Sequence, residues 1–528
     1  MSTTTGRFGL RSTAATLWRL RAADPTVTLA ALGAVALTGA TPAAPYVAAS
    51  LRNPRRTAIV DDHGELTYRE LDDRTAAYAA ALESWGLGES TRVGILCRNH
   101  RGFVEANITV ARLGATPVYL NTGFAGPQTI DVVRRESLDL VVHDLEFSEL
   151  LTDADVALLP ADPAERGWTF PTLERAGSPG RRPNRRRTAP TVLLTSGTTG
   201  TPKGALRDLG DTSPAAGLGT ISAIPVGHGD TFVIPAPLFH AWGLSQHLVA
   251  AMVGGTVVLR DRFDPEVVLA DIRRHRAEVL IAVPVMLQRI LELAPGGDTI
   301  ARESLRVVAT SGSALPAGLA TRWMDGFGDT LYNLYGSTEV GQVTIAGPAD
   351  LRADPATSGR PPAGTSLRIL DDDGQPVADG TLGRIAVGGG THFSGYTSGD
   401  SKEVVDGYMV TGDMGWIDAD GCLRVAGRDD DMIVSGGENV YPREVEDLLV
   451  GMDGVTDAAV VGVDDEAYGQ ALHAFVVRRP DAPIDANAVK AHVRDHLARF
   501  KVPRRVRFVD DLPRSPTGKI LRRELPTD

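Results

Sequence analysis

The chain has 528 residues, 43% of them apolar, enough for about two to four domains with packed cores. Its formal net charge of −12 excludes nucleic acid as a general partner. Cys97 and Cys422 are its only cysteines; so distant a pair builds neither a disulfide framework nor a metal site, and a reducing cytoplasm is the expected compartment.

No charge occurs between Thr26 and Leu51. Gly33, Gly39, Pro42 and Pro45 make this stretch a poor membrane span, and arginines scattered from Arg7 to Arg21 make it a poor signal peptide. The expected element is a packed or peripheral helix from Val27 to Leu37, with peripheral membrane contact as the alternative. Thr67 and Glu70 spell a capping box that opens a helix running to Trp85, closed by Gly86 and Gly88. Val93–Cys97, Thr116–Leu120 and Leu138–His143 read as strands, interleaved with helices over Arg101–Leu113 and Pro127–Glu136. Alternation with short turns is the pattern of a doubly wound α/β sheet. Arg181, Arg182, Arg185, Arg186 and Arg187, mixed with prolines, mark a solvated linker.

An apolar strand from Thr191 then runs into Leu194-Thr195-Ser196-Gly197-Thr198-Thr199-Gly200-Thr201-Pro202-Lys203-Gly204. Small hydroxyl and glycine residues turn tightly and offer donors to a phosphate chain. Lys203 adds a cation, and it stands out because only Lys203, Lys402, Lys490, Lys501 and Lys519 are lysines among 54 basic side chains. Pro202 and Gly204 around it break the Walker spacing, so this is a triphosphate clamp of another kind.

Alternation continues through strands at Thr231–Pro235, Thr256–Leu259, Val279–Val283, Leu305–Ala309 and Thr330–Leu334, with helices at Pro265–His275 and Pro284–Leu293. His240 lies in the aromatic stretch Pro237–Gly243, where taken alone it reads as core. Short β segments at Leu367–Leu370, Gly383–Val387, Gly407–Val410, Trp416–Asp418 and Leu423–Val425 form a small β-barrel-like unit. The acidic triplet Asp429–Asp431 marks a boundary, since unpaired buried charge is costly. Beyond it, helices over Pro442–Val450 and Ala486–Ala498 and strands around them make a small α+β domain ending in Pro513–Lys519.

Five loops can now be set side by side: Thr195–Gly204, Tyr335–Glu339, Thr411-Gly412-Asp413, Gly427–Ile433 with Ser435–Pro442, and Pro513–Lys519. Their order and spacing resemble the adenylate-forming superfamily, over nearly the whole chain from Leu51 to Leu525. Within it the chain looks most like acyl-CoA synthetases for fatty or other bulky hydrophobic acids, on Pro237–His240, Arg262–Pro265 and Ser435–Pro442. The fold implied is α/β: a large N-terminal domain of doubly wound α/β subdomains plus a small β-barrel, followed by a small α+β C-terminal domain. The domain plan is a lead with an apolar helix over 1–50, a large adenylation domain over 51–427, a hinge over 428–431 and a mobile C-terminal domain over 432–528.

The resemblance implies two half-reactions. A carboxylate attacks the α-phosphate of ATP, giving acyl-AMP and pyrophosphate; the thiol of coenzyme A then attacks the acyl carbon and expels AMP. By the same resemblance Thr195, Ser196, Gly197, Thr198, Thr199 and Gly200 hold the β- and γ-phosphates, with Lys203 nearby. Thr338 bonds the α-phosphate, and Glu339 helps hold Mg²⁺, a hard cation suited to oxygen ligands. Tyr335, followed by Gly336, packs against adenine, with Gly312, Ser313 and Ala314 on its other side. Asp413 takes the ribose hydroxyls, aided by Arg428. Lys519 reaches the substrate carboxylate and the α-phosphate, and His240 gates the acyl pocket. Asp430 is the hinge that swings Lys519 in for the first step and Ser435, Gly436 and Gly437 in for the second. The two glycines leave room for the pantetheine arm.

The partners implied are a small carboxylic acid and coenzyme A, with a homodimer admitted. The alternatives are a ligase that loads an acyl carrier protein and an enzyme competent in one half-reaction only. The glycines at Gly254, Gly255 and Gly388 to Gly390 either open space for a long or polycyclic acid or serve turns.

Overall fold

A computed structural model describes the chain except residues 1–2, 7–8, 162–181, 184–188, 196–201, 208–213, 390–392, 436–437, 466–468, 481 and 527–528. Two sheets carry the large domain. The first has seven strands in the order Phe393–Tyr396, Lys203–Arg207, Thr191–Thr195, Thr116–Tyr119, Arg92–Leu96, Leu140–His143 and Ala157–Pro160. Its last five strands run parallel, as the strand–helix alternation requires. The second has eight, with Leu331–Ser337, Val307–Thr310, Val279–Ala282, Thr231–Val233, Thr256–Val258 and Thr57–Asp61 parallel and an antiparallel strand at either end. Local signals set much of this. The Thr67–Glu70 capping box forms in both directions and starts the helix Tyr68–Ser84. Helix Arg101–Leu113 ends on Gly114 in the left-handed region.

The sequence pattern passes over the hairpin Thr57–Asp61/Gly64–Thr67 and the strands Ala157–Pro160 and Lys203–Arg207. All three lie at or beside a sheet edge, and the outer strands Gly64–Thr67 and Ala157–Pro160, each with a single buried residue, give little apolar signal. The β-rich unit is a six-stranded antiparallel sheet. Gly407–Val410 and Trp416–Asp418, read as separate segments, belong to one strand, Tyr408–Ile417. Gly412 at φ +87° and a register shift at Met414/Gly415 let that strand bend without ending. The strand Thr4–Thr5 at the start of the lead pairs with Thr365–Leu370 in the same sheet, and helix Pro25–Thr38 occupies the apolar stretch. No helix among the described residues is long and apolar enough to cross a membrane.

The C-terminal unit has its own sheet and its own core around Val445, Leu449, Val460, Val476, Val489 and Val493. Glu446 is buried in it, accepting from the Val460 N–H at 2.7 Å and pairing with Arg522 at 2.9 Å. Burial dominates over the arginine and lifts this carboxyl to about 7. Folding therefore takes up a proton, and stability falls as pH rises from the ordinary value of 4.5 through about 7. Glu446→Gln is expected to gain thermal stability relative to wild type over that window and to hold a constant difference above it. Melting curves of both proteins at a series of pH values check this.

Candidate active site

The site lies off the carboxyl ends of the parallel strands in the eight-stranded sheet, where open α/β sheets bind ligands. After Thr231–Val233 the chain reaches His240, the N-cap of helix Ala241–Met252. Val283 and Val285 follow Val279–Ala282, Gly312 follows Val307–Thr310, and Tyr335 and Gly336 close Leu331–Ser337 at a bulge. Asp413 and Arg428 come from the antiparallel sheet, where they are register partners. Thr195 and Lys203 are register partners too, at the base of the clamp hairpin. Ser196, Gly197, Thr198, Thr199 and Gly200, the expected phosphate donors, lie outside the described residues, as do Gly436 and Gly437.

Tyr335 donates its hydroxyl to Asp413 Oδ2 at 2.5 Å. That oxygen keeps a lone pair, and Oδ1, the oxygen nearer Arg428, accepts no hydrogen bond among the described residues. Burial pushes the Asp413 carboxyl up, while Tyr335, Arg428, Lys519 and Lys402 pull it down. Arg428 stands 3.9 Å from Asp413 and binds Asp430 more closely, at 2.8 Å. The arginine expected to serve Asp413 thus joins it to the expected hinge.

Glu339 accepts from Ser337 Oγ and Tyr396 Oη, both at 2.9 Å. It forms no ion pair among the described residues, so its charge and spare lone pairs remain for a hard cation, and half-buried Thr338 precedes it. Lys203 Nζ lies 5.4 Å over the Tyr396 ring and 3.5 Å from Asp400. The clamp base, Tyr396 and Glu339 therefore form one chain of contacts.

The Pro513–Lys519 turn of the C-terminal unit is seated on the large domain. A bridge joins Arg514 to Ile520, and the Ser515 N–H donates to the Lys519 carbonyl at 2.8 Å. Gly518 adopts φ +78°, and a Cβ there would come within 2.9 Å of Val285 Cγ1, so both the turn and the close approach demand glycine. The Thr517 carbonyl packs above Gly312, and half-buried Ser313 and exposed Ala314 continue the same turn. The Lys519 charge is felt at both His240 and Asp413. Burial, then Lys519, pushes the His240 imidazole down to about 3, so it is neutral at physiological pH. Its Nε2 has no hydrogen-bond partner among the described residues. Ser435, by contrast, is buried in the small domain's own sheet, opposite Gly469.

The structure thus gathers His240, Gly312, Tyr335, Asp413 and Lys519 at one place, with Thr338, Glu339 and Lys203 linked through Tyr396. Sequence reasoning missed Tyr396, Asp400 and Lys402. Lys402 donates to the Thr411 carbonyl at 3.1 Å and bears on Asp413 and Asp430. Its rarity as a lysine was the available signal; Tyr396 and Asp400 carried none. The Gly255 backbone lies against the Asp230 carbonyl, and a Cβ on Gly388 would meet Ser366 and Tyr408. At these two positions glycine answers close packing, against a carbonyl at Gly255 and against side chains at Gly388; Gly390 lies outside the described residues. Trp242 is buried with its indole N–H on the Ala282 carbonyl at 3.0 Å.

Away from this site, a cavity of about 520 Å³ opens beside His63, His100, Arg101, Asp144 and Asp261. Cys97, His100 and Asp144 come within 4.8 Å of one another there. His100 Nδ1 accepts from the Gly102 N–H at 3.0 Å, so Nε2 carries the proton it gives to Asp144 at 2.7 Å. Both ring nitrogens are committed, and burial keeps the Cys97 thiol protonated, so the trio is a hydrogen-bonded cluster and no metal site.

A family model described as AMP-binding enzyme matches residues 47–397, and one described as AMP-binding enzyme C-terminal domain matches residues 444–519. Feruloyl-CoA synthase from an Amycolatopsis species is 32% identical over 479 residues, covering 90% of this chain and 96% of that protein. A methyl-dioxo-octahydroindenyl-propanoyl:CoA ligase of Mycobacterium tuberculosis is 33% identical over 500 residues, covering 89% and 96%. Among solved structures, o-succinylbenzoate CoA synthetase of Bacillus subtilis, in complex with its acyl-adenylate intermediate, superposes with a TM-score of 0.80 at 27% identity, covering 91% of this chain and 97% of that one.

Proposed function

The chain belongs to the AMP-binding enzyme family, and from that premise we infer that it is an ATP-dependent acid–CoA ligase acting on a ring-bearing, aromatic or polycyclic, carboxylic acid. The relatives named above support the ring-bearing class. The observation that carries the reaction is the Lys519 turn seated at Gly312 and Val285, with its charge felt at His240 and Asp413.

In the first step a substrate carboxylate oxygen bonds the α-phosphorus of ATP, the α–β phosphoanhydride breaks, and pyrophosphate leaves. Lys519 draws the two anions together. It stabilises charge that grows as they meet, which is where a fixed cation acts most strongly. Asp413 holds the ribose, Tyr335 and the Gly312–Ala314 turn hold adenine, and Lys203 serves the outer phosphates. Thr338 bonds the α-phosphate, and Glu339 would hold Mg²⁺, which would supply charge neutralisation for the phosphates. In the second step the CoA thiolate bonds the acyl carbon and AMP departs. The small domain turns about Asp430 between the two, bringing the Ser435 strand to the site.

A neutral His240 at the acyl entrance gates the pocket and takes no part in proton transfer. His240→Asn is therefore expected to raise the KM for the acid several-fold and to leave the shape of the pH–rate profile for adenylation between pH 5 and 8 unchanged. A profile in which wild type alone shows an extra ionisation would count against that assignment.

The substrate class is tested by incubating the protein with ATP, Mg²⁺ and a panel of fatty, aryl and fused-ring acids, with CoA or an acyl carrier protein. Acyl-AMP and thioester are scored separately by mass spectrometry. Ring-bearing acids are expected to give both products with CoA. Turnover confined to straight-chain acids, or thioester on the carrier protein only, overturns this reading.

A further inference from the structure

The lead carries a surface that the ligase reaction does not use. The family match begins at residue 47, so helices Leu10–Arg19 and Pro25–Thr38 lie outside it. Helix Pro25–Thr38 has no charged residue and is apolar all round, a pattern expected of a helix covered on every side. Among the described residues only one side is covered. Ala30, Ala34 and Thr38 face the helix Ala44–Arg52, while Leu29 and Leu32 on the other side are 67% and 63% exposed. Leu51 packs beside Gly33 and continues this face, and Trp18, at the end of the preceding helix, is 81% exposed.

The charges around the face select its occupant. The first 56 residues hold seven arginines and a single acidic residue, Asp24, in a chain whose net charge is −12. Asp24 is spent on Arg52 at 3.1 Å, and Arg52 also reaches Thr26, at the start of the helix. Arg21 and Arg55 are exposed. A second copy would bring the same cations to the contact. An apolar, anionic surface is the complement, and a bilayer rich in acidic headgroups is one. We propose that the outer face of helix Pro25–Thr38, with Trp18 and Leu51, lies in the headgroup region of an anionic membrane. The helix has 14 residues, about 21 Å at 1.5 Å per residue, short of the roughly 30 Å of a hydrocarbon core. It therefore lies along the surface with its leucines down, the indole at the interface and the arginines among the phosphates.

Flotation of the full-length protein with phosphatidylcholine vesicles, with and without phosphatidylglycerol, at low and high salt, tests this. Wild type is expected to float with the anionic vesicles at low salt and to be released by salt. Leu29→Gln/Leu32→Gln is expected to weaken binding at least about ten-fold, and Arg21→Gln/Arg55→Gln about five-fold per arginine. Pyrophosphate exchange by the variants, expected at the wild-type rate, establishes that each is folded; if the leucine variant is not, the arginine variant carries the test. Three outcomes overturn the proposal. Wild type stays in the pellet with anionic vesicles; binding is indifferent to both variants; or the face proves to be covered by a second copy, seen as a dimer that the leucine variant dissociates.

Discussion

Lys519→Ala should lose acyl-adenylate formation by about 10²–10³-fold while still converting supplied acyl-AMP and CoA to thioester at a near-normal rate. The asymmetry follows from where the charge is needed. In the first step two anions meet, and Lys519, delivered by the Pro513–Lys519 turn, bears on both ends of the site at His240 and Asp413. In the second the acyl group is already activated and a thiolate attacks carbon, so a cation at the former carboxylate contributes little. Single-turnover measurements of each half-reaction check it. Equal loss in both would show that Lys519 holds the nucleotide in general and that the division of labour is wrong. Gly518→Ala should copy the defect partially, because φ +78° and the 2.9 Å approach to Val285 place the turn that carries the lysine.

Asp430→Pro should do the opposite. Proline holds φ near −65°, which denies a hinge its range. At the proposed pivot, the Asp430 carboxylate pairs with Arg428 at 2.8 Å, itself 3.9 Å from Asp413. The Lys519 turn is already docked in this arrangement, so adenylation is expected to stay within about ten-fold of wild type. Thioester formation is expected to fall by about a hundred-fold or more, the scale of a misplaced reacting group. Asp430→Ala removes the ion pair and leaves the backbone free, and it should retain both steps. If alanine and proline behave alike, the Arg428 contact matters and backbone rotation at this position does not.

What the sequence determined by itself was whatever closes within a few residues. The Thr67–Glu70 capping box, the helix Arg101–Leu113 with its Gly114 stop, and the left-handed Gly518 before Lys519 are each specified by neighbours three or four positions apart. Hydrogen bonds of that span form at small entropic cost and leave a fixed spelling. The loop set that carries the family resemblance is of this kind, which is why the candidate site was legible before any fold was known. Only the tertiary structure decided which loops meet and what else they meet. Tyr396 reaches Glu339 across 57 residues and Tyr335 reaches Asp413 across 78. It also decided that Gly255 fits against a carbonyl and that Arg428 leans to Asp430. Such contacts depend on how sheets stack and where a strand bends, and a tyrosine that will donate to a distant carboxylate is spelled no differently from one that will not. The apolar stretch after Asp24 shows both limits in one element. Its composition dictates a helix that wants cover, while its bare side, the Leu29–Leu32 face, exists only once helix Ala44–Arg52 has taken the other.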